Sequence, residues 1–326
     1  MSTDETARTG RVPDRLVVPS LIAVMILALA GGWVLSGVLV RDTPPLAVAA
    51  GRTGSSFLVI TAVALASRRM RADVVRAGRR WPAVPALAVL GFLVYYVGTL
   101  TSVELAGAST TNVIVSLLPC ITFGIGILAF RERATLRKGL GTLLAVAAAV
   151  GYAVVAGRWD TGGASAAVLL TALAPAFVGT CTYALYGYVY QRRMSDVSPI
   201  AALPAVTGVA FAVLLPVAAL ATPLGDVSAS AWLGTAVLGA LLTAPVFLVS
   251  HELIRRRGPL FTSAVALVVP LLVSVGEAAV GDGPWPGAAA TALIVVCCLG
   301  VWLVVSSPRE QRTAAVSPAP ERTSSS

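Results

Sequence analysis

The chain has 326 residues, of which 57% are hydrophobic and only 12% charged, and its mean hydropathy is +0.85. A soluble domain carries about 25% charged residues, so this composition excludes a soluble globular protein and indicates a polytopic membrane protein. The net charge of +9 does not indicate nucleic acid, because the arginines stand in short clusters between apolar runs, where they set topology.

Residues 1–15 are polar and carry Arg8, Arg11 and Arg15; they read as a disordered tail. The first apolar run, 18–40, follows arginines and contains LALAGG, which resembles a signal-peptide cleavage site. It is too long for a signal core and continues through Trp33 to Val40, so it reads as a retained helix. Nine more runs of bilayer length follow, at 46–67, 82–101, 109–130, 136–156, 165–190, 199–221, 231–254, 260–280 and 286–306. Residues 158–164, within the polar, Gly-rich stretch GRWDTGGA, form a linker. Residues 307–326 form a second disordered tail. The four cysteines, Cys120, Cys181, Cys297 and Cys298, lie inside apolar runs without metal spacing and read as small buried residues. No metal or cofactor is expected.

One side of these spans collects the basic residues: Arg68, Arg69, Arg71, Arg76, Arg79, Arg80, then Arg131, Arg133, Arg137 and Lys138, then Arg192, Arg193 and Arg255–Arg257. The other side receives only Arg41 and Arg158, beside Asp42, Asp160, Asp226 and Asp282. Lysine and arginine mark the cytoplasmic side. Both termini are therefore expected in the cytoplasm, with ten crossings of the cell membrane.

The chain also repeats itself. Residues 88–119 read AVLGFLVYYVGTLTSVELAGASTTNVIVSLLP, and 236–270 read AVLGALLTAPVFLVSHELIRRRGPLFTSAVALVVP. Each copy opens with AVLG, places a glutamate sixteen residues on (Glu104, Glu252), and ends on a proline in an apolar stretch (Pro119, Pro270). Five spans per half is an odd number, so the second half enters from the opposite face. The expected fold is an all-α membrane protein of ten helices in two inverted five-helix repeats, 16–157 and 165–306, an architecture that suits transporters.

These residues resemble the EamA-type branch of the drug/metabolite transporter superfamily. The stretch ELAGASTTNVIVSLLPCITFGIGILAFRERATLRKGLGTLLAVAAAVGYAVV carries the likeness, through Ala108–Ser109, Pro119, Glu132 and Gly139–Gly141. WVLSGVLVRDTPPLAVAAGR adds Trp33 and Arg52. The likeness covers roughly 18–306, but the second half departs from it: VGDGPWPG stands where FRERATLRKG stands in the first, without a matching glutamate. The resemblance implies an exporter of amino acids, metabolites or drugs.

Candidate solute-binding residues are Trp33, Tyr95, Tyr96, Asn112, Ser116 and Ser274, aromatic and small polar side chains in mid-span. Tyr183 and Tyr186 could also stack on a ligand, while Tyr186, Tyr188 and Tyr190 sit by Arg192, where a boundary belt is expected. Candidate coupling or gating residues are Glu277, Arg52, Glu104, Glu252, Pro119 and Pro270. An acid at membrane depth is costly and commonly faces a cavity. Glu277 has no basic neighbour in sequence, and Arg52 is its expected opposite. Glu252 precedes Arg255 and Arg256 at i+3 and i+4, where an ion pair forms readily. His251, the one histidine, is expected at the boundary. The prolines free backbone carbonyls and bend helices.

The leading reading is a secondary transporter of small organic solutes, working by alternating access and taking protons as its candidate coupling ion. The absence of a phosphate-cradling loop excludes drive by ATP. The rival readings are a membrane enzyme and a scaffold without flux. One histidine and no paired-carboxylate motif disfavour the enzyme; a scaffold has no use for intramembrane acids in inverted pairs. The expected partners are a small-molecule solute and membrane lipid, with nothing in the sequence on oligomeric state.

Overall fold

A computed structural model describes residues 14–40, 42–66, 68–78, 81–106, 111, 114–155, 166–269, 272, 275, 278–279 and 285–306. Among them the chain is helical and has no strand. Several expected spans are single rods: α1 (Asp14–Leu39), α2 (Pro45–Ala66), and, after the intervening elements, α7 (Leu136–Val155), α8 (Ala166–Met194), α9 (Pro199–Ala221) and α13 (Ala288–Val305). Among the described residues, five stretches are individually long and apolar enough to cross a bilayer: Val17–Ser36, Pro45–Ala66, Pro199–Ala221, Ala229–Arg257 and Ala288–Val305. Helices are required there because lipid offers the backbone no hydrogen-bond partner.

The arginine-rich stretch after α2 is not a loop but a helix, α3 (Arg68–Gly78). Met70, Val74 and Ala77 fall at i, i+4 and i+7, so RRMRADVVRAG has one apolar face. Val74 and buried Ala77 pack into the core beside α9, while Arg71 Nε donates to the Leu65 carbonyl at 2.7 Å.

The remaining rods are interrupted. The third is α4 (Val84–Ala88), a π-helical segment Val89–Leu93, and α5 (Val94–Ala106). The eighth is α10 (Ala229–Val237), a π-helical segment Leu238–Thr243, and α11 (Ala244–Arg257). Both π segments lie in the AVLG copies. In the fourth rod a turn at Leu117 precedes α6 (Leu118–Leu128), with Leu117 N–H donating to the Ile114 carbonyl. Pro119 therefore sits in the first turn of a restarted helix, where its missing N–H costs nothing. The sequence led us to expect a bend; the structure makes a break. The ninth rod, α12 (Pro259–Ala266), likewise ends in a turn at Leu267–Val268. Pro270 lies outside the described residues.

Helix pairing is selective. α2 packs on α9, α5 on α8, α7 on α13, and α1 on α11 with its π segment. Small residues allow the closest crossings, as membrane helices require without a hydrophobic drive between them. A Cβ on Gly141 would stand 2.9 Å from the Gly300 carbonyl oxygen, and one on Gly300 would stand 2.6 Å from the Ala145 nitrogen. Across α5 and α8, a Cβ on Gly98 would overlap the Pro175 carbonyl.

Candidate functional site

The residues with chemistry converge on α8. Tyr183, Tyr186 and Tyr190 follow at i, i+3 and i+7 and share one face, while Tyr188 points elsewhere. The shared face meets α5 and α11. Tyr183 pairs with Tyr95 at a ring separation of 4.7 Å and with Tyr186 at 5.8 Å; Tyr95 and Tyr96 are 5.7 Å apart. Phe92 and Phe247 pack edge-on at 5.3 Å and extend the cluster. Arg52 reaches it from α2, with its guanidinium 5.5 Å from the centre of the Tyr96 ring. It is also close enough to act electrostatically on Tyr95 and Tyr183. The Arg52 Nε is buried and has no hydrogen-bond partner among the described residues.

Two tyrosines on α8 are fully committed. The Tyr186 O–H donates to His251 Nε2, and His251 Nδ1–H donates to the Phe247 carbonyl at 2.5 Å. This pattern fixes the neutral imidazole with its proton on Nδ1. His251 is thus buried between helices. The Tyr188 O–H lies 3.0 Å from Glu132 Oε2 and 3.2 Å from the Thr122 carbonyl, and its ring stacks on Phe130 at 4.5 Å. Arg192 covers the other side of Phe130 at 4.3 Å. Tyr186, Tyr188 and Tyr190 are all buried, so they do not form the expected boundary belt. A tyrosine hydroxyl away from water is stabilised by a partner, and the neighbouring helices supply two of the three. Tyr190 is the exception: its hydroxyl is buried without one.

Beside the cluster, Thr122, Tyr183, Tyr186, Pro259 and Ser263 line a cavity of about 20 Å³, room for about one water. A wider groove of about 860 Å³ runs between α5 and α8, walled by Val94, Val97, Gly98, Pro175 and Val178. Its exposed apolar walls suit lipid chains.

Of the residues singled out in the sequence, Tyr95, Tyr96 and Arg52 come together. Trp33 is half exposed on α1 and, among the described residues, takes no part in the ring contacts of the cluster. Ser116 is half-buried in the helical turn before the break at Leu117, and Pro119 is buried just after it. Glu252 accepts from Arg255 at 2.6 and 2.8 Å and from Arg256 at 2.5 Å, so the i+3 and i+4 pairing holds. Asn112, Ser274, Glu277 and Pro270 lie outside the described residues, as does the side chain of Glu104 on α5. Tyr183, which the sequence places behind Tyr95 and Tyr96 as a candidate, joins them in the cluster. The i, i+3, i+7 spacing of Tyr183, Tyr186 and Tyr190 was the signal that could have ranked Tyr183 with them.

The fold and this convergence define a helical membrane protein with an aromatic, arginine-bearing centre. Residues 18–154 match the EamA-like transporter family, a family of membrane transporters within the drug/metabolite transporter superfamily. No curated protein matches the chain. A solved crystal structure, titled only "Crystal structure of protein", matches with a TM-score of 0.71 at 18% identity, over 87% of this chain and 95% of its own. At that identity the likeness concerns the fold alone, and it extends well past residue 154.

Proposed function

We propose that the chain is a secondary active transporter, an exporter-type permease of the cell membrane, moving small organic solutes such as amino acids, metabolites or drugs. Its frame is two five-helix repeats of opposite orientation, 16–157 and 165–306, joined by 158–164 and flanked by cytoplasmic tails. The observation that carries this reading is the matched position of the interruptions. Both AVLG copies hold a π segment, and both following rods break just before the proline that closes each copy. π segments and broken helices recur at functional sites, and discontinuous helices build transporter sites at mid-membrane. The helix pairing supports the same reading. Exchanging each span for the one five places on carries the α5–α8 contact onto α11–α1 and returns α2–α9 and α7–α13 to themselves.

In this reading Tyr95 and Tyr96 hold the solute, with Trp33, Asn112, Ser116 and Ser274 around them. Pro119 and Pro270 let the halves flex. Glu104 and Glu252 are counterpart acids, of which Glu252 is tied into the arginine cluster at the end of α11. Glu277 is the proton carrier, released when Arg52 approaches, because a nearby positive charge favours a carboxylate. Counterflow of labelled solutes in proteoliposomes tests the function; a membrane enzyme or scaffold gives none. Glu277→Gln should abolish uphill movement under a proton gradient while sparing exchange. Reporter fusions after residues 75, 135, 194 and 257 should score cytoplasmic, and those near 43, 160, 226 and 282 outside. One reversed site would break the ten-span frame.

A further inference from the structure

We propose that the aromatic cluster is a carboxylate site: Arg52 holds the carboxylate of an organic anion whose planar body lies against Tyr95, Tyr96 and Tyr183. The inference deepens the transport reading and rests on it for turnover, though not for binding. It starts from a contrast among polar groups in one place. On α8, Tyr186 and Tyr188 spend their hydroxyls on His251 and on Glu132 with Thr122. The hydroxyls of Tyr95, Tyr96 and Tyr183 make no hydrogen bond among the described residues. All three side chains are half-buried and their rings gather beside the Arg52 guanidinium, so their hydroxyls stay open to a ligand.

Charge then selects the ligand. Arg52 has a buried Nε without a partner, makes no ion pair among the described residues, and touches the cluster through the Tyr96 ring. A guanidinium nitrogen held out of water is unfavourable unless paired, and the planar fork of the group matches a carboxylate with two parallel hydrogen bonds. A ring of tyrosines without an arginine would favour a cation. Here Arg52 already lies over Tyr96, and two of the described acids are engaged elsewhere: Glu252 with Arg255 and Arg256, Glu132 with Tyr188. The described cluster therefore carries one positive charge and no negative one. A solute carboxylate and the coupling step use the same guanidinium in turn.

The test titrates purified full-length protein in detergent, by calorimetry, with three bodies of similar size and different charge: 3-phenylpropionate, phenethylammonium and 3-phenylpropanol. The anion should bind at least about tenfold tighter than the other two. Arg52→Gln should remove that preference. Arg52→Lys, which keeps the charge but loses the fork, should retain part of it, and its monodisperse elution checks that the fold persists. Equal binding of the three bodies, stronger binding of the ammonium, no binding of the anion, or an unchanged preference in Arg52→Gln overturns the carboxylate site. Counterflow of labelled 3-phenylpropionate separates the two claims. Binding without counterflow keeps the site and sinks transport; counterflow of the ammonium but not the anion keeps transport and sinks the site.

Discussion

The two AVLG copies begin alike and end differently. Both adopt a π segment at the same place, Val89–Leu93 and Leu238–Thr243. Beyond it the side chains part. Where the first copy has Tyr95 and Tyr96, the second has Thr243 and Ala244. Where the first has Val103, the second has His251, locked to Tyr186 of α8. The backbone interruption is common to both copies, while the open aromatic chemistry belongs to one and the closed hydrogen-bonded staple to the other. A repeated backbone can thus carry an unsymmetrical site. The backbone depends on local features such as AVLG, and the site depends on a few side chains that differ between copies.

The largest effect should come from the π segments themselves. A Cβ on Gly239 would overlap Ser55 Oγ and the Arg52 carbonyl, a backbone atom that cannot turn aside. Gly239→Ala should cost about 3 kcal/mol, the upper end of overpacking. A Cβ on Gly91 would stand 2.6 Å from the Tyr186 ring, a side chain with some freedom, and Gly91→Ala should cost about 1–2 kcal/mol. Melting midpoints of the purified variants measure both; equal losses would mean that the two segments are supported equally.

Next comes the staple. Tyr186→Phe removes the O–H that His251 Nε2 accepts and leaves a buried acceptor unsatisfied. The expected loss is about 1–3 kcal/mol. Tyr95→Phe removes a hydroxyl with no hydrogen bond among the described residues, so stability should change by less than about 0.5 kcal/mol. If the two tyrosines lose equally, the contrast between an open and a closed copy fails.

A smaller effect is expected at Glu252. Its carboxylate bridges Arg255 and Arg256, whose side chains are about a third exposed. Solvent screening weakens such a network, so Glu252→Gln should cost about 1 kcal/mol and less at high salt. A loss that does not diminish with salt would assign Glu252 a role other than its arginine pair.

Much of the frame was legible before any coordinates. Apolar runs placed α2, α7 and α9 within a residue or two, because a bilayer demands about twenty apolar residues and punishes charge. The ion pair of Glu252 was legible because i+3 and i+4 neighbours meet on any helix. Arg68–Gly78 was missed as a helix because its arginines dominate its composition, although Met70, Val74 and Ala77 mark an apolar face.

What the sequence by itself determined was local: a membrane chain, the length of its spans, the doubled AVLG segment, and the family likeness of residues 18–154. Each follows from composition or from neighbours within a few turns. Only the tertiary structure decided which side chains meet. It joined Tyr186 to His251, 65 residues apart, and Tyr188 to Glu132, 56 apart. It also turned Pro119 from an expected bend into the start of a restarted helix. Arg52 came to lie over Tyr96 from another helix. Such meetings depend on how close the rods can approach, and that distance is set by Gly98, Gly141, Gly239 and Gly300, whose lack of a side chain is plain in the sequence but whose partners are not.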